Sequence, residues 1–65
     1  MKILRAIWFT EMGTLHGTIG IVIAEDKHGG KRAYIGTGDG EEQERDAQKI
    51  LKWGAKFPLE AAEKL

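Results

Sequence analysis

Between Lys31 and Trp53 the sequence changes its period, and that change constrains the fold more than any other feature. Lys31–Thr37 alternates, with Ala33 and Ile35 opposite Arg32, Tyr34 and Gly36. Gly36, Gly38 and Gly40 then punctuate the chain, and from Asp39 the apolar residues return at helical spacing. Period two with aromatic and β-branched residues specifies a strand, and a period near 3.6 specifies a helix. A strand passing through glycines into a helix means that the domain is built on a sheet–helix contact.

The helix carries its own start and stop signals. Asp39 can accept from first-turn N–H groups with Glu42 three residues on, an Asp form of the capping box. Asp39, Glu41, Glu42, Glu44 and Asp46 sit toward the positive end of the helix dipole, and Lys49, Lys52 and Lys56 toward the negative end. Glu41 and Arg45 form a four-residue pair. Ala47, Ile50, Leu51 and Gly54 make an apolar stripe, widened by Trp53 and Phe57. Pro58 is expected to stop this helix and to open a second short one over 58–64, supported by a Glu60–Lys64 pair.

Upstream, Lys2–Thr10 is apolar at nearly every position. Thr18–Ala24 puts Ile19, Ile21 and Ile23 on one face and Thr18, Gly20, Val22 and Ala24 on the other. Residues 11–17 and 25–30 supply turns of hairpin length, which favours antiparallel neighbours in the order 1-2-3. The expected fold is one α+β domain over residues 1–65. It is a three-stranded antiparallel β-meander packed on one main α-helix, with a short C-terminal helix.

A chain of 65 residues lies near the lower limit for folding without staples, and this one has no cysteine for a disulfide or a thiolate metal site. Stability has to come from tight packing or from another subunit. Serine and asparagine are also absent, while charged residues reach 31% against about 25% in an average domain. Few thermolabile and many ionic side chains point to a thermophile. Formal net charge is zero, so no whole-chain field draws nucleic acid or an anionic membrane. No apolar run approaches the roughly 20 residues of a membrane helix, and the first residues lack the pattern of a signal peptide. A cytoplasmic protein is expected.

Counting faces leads to a partner. If the helix covers the three-isoleucine side, the other side remains apolar: Trp8, Gly20, Val22, Ala24 and Tyr34. A sheet with one wet face alternates more cleanly than this one, and apolar patches of this kind mark interfaces. A homo-oligomer is expected, most simply a two-fold dimer that buries this face or pairs an edge strand. The alternative is that residues 55–65 fold back over the sheet in the same subunit.

Chemistry is harder to find. Gly36-Thr-Gly-Asp-Gly40 has the look of an anion loop, yet carboxylates surround it and no Lys or Arg lies within it, so a capping turn is the better reading. Asp39, Glu41 and Glu42 supply oxygen ligands without the ordered spacing of a calcium loop. His16 and His28 both fall in expected turns. A small enzyme, or a ligand or metal site, formed between subunits where Asp26, His28, Asp39 and Glu42 converge is the third reading. The hydroxyls of Thr10, Thr14, Thr18, Thr37 and Tyr34 have no evident base beside them in sequence. No catalytic residue and no cofactor is nominated.

Arg5, Lys31, Arg32 and Tyr34, with Trp8, form the best binding surface on offer, since basic and aromatic strand residues can touch phosphates and stack on bases. Gly30-Lys-Arg-Ala-Tyr-Ile-Gly-Thr-Gly-Asp-Gly-Glu-Glu42, followed by a helix containing alanine, resembles the third strand and helix start of AP2/integrase-type DNA-binding domains. The resemblance implies a three-stranded sheet backed by a helix, with the sheet entering the major groove and Arg5 and Arg32 as groove-facing counterparts. Those domains carry several Arg and Trp residues on strands 1 and 2, whereas Thr18–Ala24 has no base. Phosphate neutralisation dominates duplex affinity. A self-associating, non-enzymatic interaction module is therefore preferred to a nucleic-acid binder.

Overall fold

The computed structural model describes residues 1–14 and 17–65, with residues 10–14 as backbone only. Its elements are β1 (Lys2–Thr14), β2 (Gly17–Glu25), β3 (Lys31–Gly38), α1 (Gln43–Trp53), β4 (Ala55–Phe57) and α2 (Leu59–Glu63). The strands form one antiparallel sheet in the order β1-β2-β3-β4. The α+β class and the meander agree with expectation, and a fourth strand extends the sheet beyond β3. Among the described residues no helix is long and apolar enough to cross a membrane.

Three boundaries differ from the sequence reading, each for a local reason. Strand β1 continues to Thr14, which pairs with Gly17, so most of the segment expected as a turn is strand. Helix α1 starts at Gln43, and its cap residue Glu42 makes no side-chain cap bond. The Asp39 carboxylate accepts instead from the Glu41 N–H (3.0 Å) and from the Arg45 guanidinium (2.6 Å), forming a turn ahead of the helix. Arg45 thus pairs with Asp39, not with Glu41.

At its other end α1 stops at Trp53, well before Pro58. The Gly54 N–H donates to the Ile50 carbonyl (2.8 Å) and the chain becomes extended there. A Cβ on Gly54 would stand 2.6 Å from the Ile50 carbonyl oxygen and 2.7 Å from that of Ile35. Only glycine lets the helix end lie this close to β3, and the next three residues pair with Ala33–Ile35 as β4. Pro58 precedes α2 and does not close α1. Phe57 consequently belongs to β4, and Trp53 is 75% exposed with the Lys52 ammonium 5.2 Å from its ring centre.

The two sheet faces are filled in opposite ways. Register places Trp8 beside Gly20 and Gly36, and Ala6 beside Val22 and Tyr34. Ile50 of α1 enters this small-residue face: an added Cβ would be 3.1 Å from its δ1 methyl at Gly20 and 3.0 Å from its γ1 carbon at Gly36. The Trp8 ring covers the remainder of Gly20, at 2.4 Å from the same imagined Cβ. Strand glycines are weak strand formers whose use is close approach by another element, and here that element is α1. Ala47, Ile50 and Val22 form the buried centre of this layer, flanked by Ile3, Ala6, Trp8, Tyr34 and Leu51.

The opposite face carries Ile21, Ile23 and Ala33, and α2 lies on it through Ala62 and Leu59. A bulky helix residue meets glycines on one side, and a small helix residue meets isoleucines on the other. The expected pairing of α1 with the isoleucine side is thus reversed, because close packing rewards complementary volumes.

Adding a methyl at Gly38, where it would sit 2.5 Å from the Asp46 Cγ, should cost on the order of 1–3 kcal/mol. Ile50→Ala should cost about 2–5 kcal/mol. Urea denaturation checks both, and wild-type midpoints would contradict this packing.

Candidate functional site

The residues nominated as an interface occupy the layer under α1. Val22 and Ala24 have 0% exposure, Gly20 is buried, and Trp8 and Tyr34 are half-buried. Burial follows from the reversal above, since α1 sits on the face that was expected to remain bare. The isoleucine face is covered in turn by residues 59–63, so the C-terminal segment does fold back over the sheet.

What remains free is an edge. β1 spans 13 residues and has β2 as its only neighbour among the described residues. Its register shifts once between Ile3 and Arg5, and again between Phe9 and Thr14. Between those irregularities, Ala6-Ile7-Trp8-Phe9 is continuous, uncharged and free of proline. Natural edges are blunted by bulges, lysines or prolines, and these four residues lack all three. Leu4, and Met1 just ahead of the strand, add exposed apolar surface.

The basic residues divide between faces. Alternation sends Arg5 and Lys31 to the α2 side and Arg32 and Tyr34 to the α1 side. Arg5 is tied to the C-terminus, donating to the Leu65 carbonyl at 2.6 Å. Lys31, Arg32 and Tyr34 nevertheless meet at the corner where β4 ends and the chain turns through Pro58 into α2. There they line a cleft of about 330 Å³ with Ala33, Lys56, Phe57 and Leu59. Lys56 is absent from the sequence-based set because it reads as the helix terminus. Its pairing with Tyr34 across β4 brings it to the cleft.

Asp26 and His28 lie in the β2–β3 turn, at the far end of β3 from Asp39 and Glu42. Eight residues of strand, about 26 Å at 3.3 Å per residue, separate the two groups within one chain. Among the described residues no three His, Asp or Glu side chains converge as a metal site. The Asp26 carboxylate instead organises its turn, accepting from the N–H groups of Gly30 (2.9 Å) and His28 (2.8 Å). His16 lies outside the described residues.

Asp46 does not stand out in the sequence as an interior residue, yet it is fully buried. Its Oδ2 accepts from the Gly40 N–H at 3.1 Å, while Oδ1 has no partner. The signal was present in the spacing, since Asp46 precedes Ile50 by one helical turn and so shares its face. Its role is to hold the Gly38–Glu42 loop against the start of α1, where the helix dipole favours negative charge.

Comparison with known proteins finds no matching family model, no matching curated protein and no matching solved structure.

Backbone donors from Gly30 and His28 hold the Asp26 carboxyl below its usual 3.8, and the Glu41 N–H does the same for Asp39, assisted by Arg45. Lowered folded values mean that both carboxylates stabilise the fold above pH 3.8 and lose that contribution as pH falls through those values. NMR titration should give midpoints under 3.8 for both groups, and a midpoint at or above 3.8 would contradict these turns.

Proposed function

We propose that the protein is a non-enzymatic interaction module that self-associates by pairing the outer edge of β1 with the same edge of a second copy. The observation that carries this reading is the unblunted stretch Ala6–Phe9 on an open edge. Two such edges meeting antiparallel about a two-fold axis continue the sheet through both subunits and satisfy the outward backbone groups of each. Side chains support the same arrangement. Ile7 and Phe9 are half-buried on the α2 side, and a second strand alongside would remove more of their surface from water. Self-association also supplies the stabilisation that a 65-residue chain without cysteine needs. The residue usage, with neither serine nor asparagine, fits a heat-adapted source.

Val22→Glu would place a charge in the layer beneath α1 and unfold the chain, whatever the oligomeric state. Ile7→Lys is the better probe, because a half-buried lysine can extend its ammonium into water.

Light scattering of the wild type should give about twice 7.2 kDa, and Ile7→Lys should bring it to one chain mass with the far-UV spectrum retained. Hydrogen exchange provides a second readout. Alternate amides of Ala6–Phe9 bond to β2 at any concentration, and the intervening ones should become protected only as the dimer forms. A single-chain mass at millimolar protein, with those intervening amides exchanging freely, would refute edge pairing.

A further inference from the structure

The geometry points to the corner cleft between β3 and β4 as a binding site for a phosphate monoester carrying a flat ring, the chemistry of a nucleotide. The site lies at the opposite edge of the sheet from β1, so it stands or falls independently of the dimer.

Charge is the first argument. Acids and bases are equal in number over the whole chain, yet this cleft is lined by Lys31, Arg32 and Lys56 and by no carboxylate. None of the three belongs to an ion pair among the described residues, where Arg45–Asp39 and Lys64–Glu60 are the pairs formed. The acids near these bases lie outside the cleft lining: Glu63 shares a neighbouring pocket with Lys31, and Glu25 and Asp26 stand at the same turn end of the β2–β3 hairpin. Glu25 stands opposite Lys31 in the ladder, and Asp26 feels the charge of Arg32 while its oxygens are held by the turn amides. Three cations line one concavity at the sheet corner, Arg32 and Lys56 from the α1 side and Lys31 from the α2 side, and leave a positive lining that an anion can satisfy. Arg32 adds a planar fork suited to two phosphate oxygens.

Shape and lining give the second argument. A volume of about 330 Å³ falls at the small-ligand end of the usual 300–1,000 Å³ range. Tyr34, Phe57 and Leu59 form its apolar wall. The two aromatic side chains are half-buried in separate core layers, which holds them in place before any ligand arrives. Cations beside fixed aromatic surface suit a ligand with one charged and one flat apolar end. Inorganic phosphate satisfies only the first, and a duplex presents its bases too deep to reach the second. The sequence nominated Lys31, Arg32 and Tyr34 for nucleic acid. The structure adds Lys56 and removes Arg5, whose guanidinium is engaged with Leu65.

The test is a titration of the ¹⁵N-labelled full chain with AMP, adenosine, inorganic phosphate and a 5′-phosphorylated ten-residue oligoadenylate. AMP should shift amides of Lys31–Tyr34, Lys56, Phe57 and Leu59, and should bind about tenfold more tightly than adenosine or phosphate. Arg32→Gln and Lys56→Gln, both at exposed positions, should each weaken AMP about tenfold and leave the spectrum otherwise folded. The 5′-phosphorylated oligoadenylate binding more tightly than AMP identifies the end of a single strand as the source, and equal or weaker affinity identifies the free nucleotide. Adenosine matching AMP, shifts located elsewhere, or an Arg32→Gln/Lys56→Gln double variant with wild-type affinity would each overturn the assignment.

Discussion

Ile50 against the bare backbone of Gly20 and Gly36 is the contact on which the remaining architecture depends. Two glycines side by side on adjacent strands leave a trough in the sheet, walled by Trp8 and Tyr34. A branched side chain fills that trough, which brings α1 close enough for Gly38 to touch Asp46 and for Gly54 to touch β3. The cost of glycine in a strand is roughly 0.5–1 kcal/mol relative to alanine. Close burial of an isoleucine, worth about 1.5–3 kcal/mol, outweighs the cost of either glycine alone.

Once α1 occupies that trough, the large strand residues Ile21 and Ile23 are left facing the other way. A short helix presenting Ala62 can approach them without displacing anything. The tail therefore completes a three-layer arrangement of helix, sheet and helix within one chain. Both faces are used up by the fold itself, and apart from the buried Asp46 Oδ1 the open backbone edges among the described residues lie at the margins. One margin is the outer edge of β1, and the other is the corner where β4 ends after three residues. The proposed self-pairing and the proposed ligand site both sit at these edges.

Much of this was legible in the sequence, though unevenly. Alternation in β2 and β3, the glycine turn and the acid-to-base gradient of α1 are local features, so the strand order and the main helix could be read directly. Which face α1 takes is a question of volume matching between residues thirty positions apart, and periodicity does not encode it. The same limit explains Trp8, Val22 and Ala24, which look equally suited to a core and to an interface. Gly54 hides the fourth strand, because its helical spacing from Ala47, Ile50 and Leu51 makes it read as part of a helix that runs on to Pro58. Lys56 reads as a helix terminus for that reason, and one wall of the cleft is hidden with it. Asp46 is obscured by its neighbours, a single buried acid among four exposed ones.

The most direct measurement is a set of NOE contacts from the Ile50 δ1 methyl group in the folded protein. Cross-peaks to the α protons of Gly20 and Gly36, together with the Trp8 ring, are the predicted result. Cross-peaks from that methyl to the side chains of Ile21 and Ile23 would put α1 on the opposite face and contradict the architecture from its first contact onward.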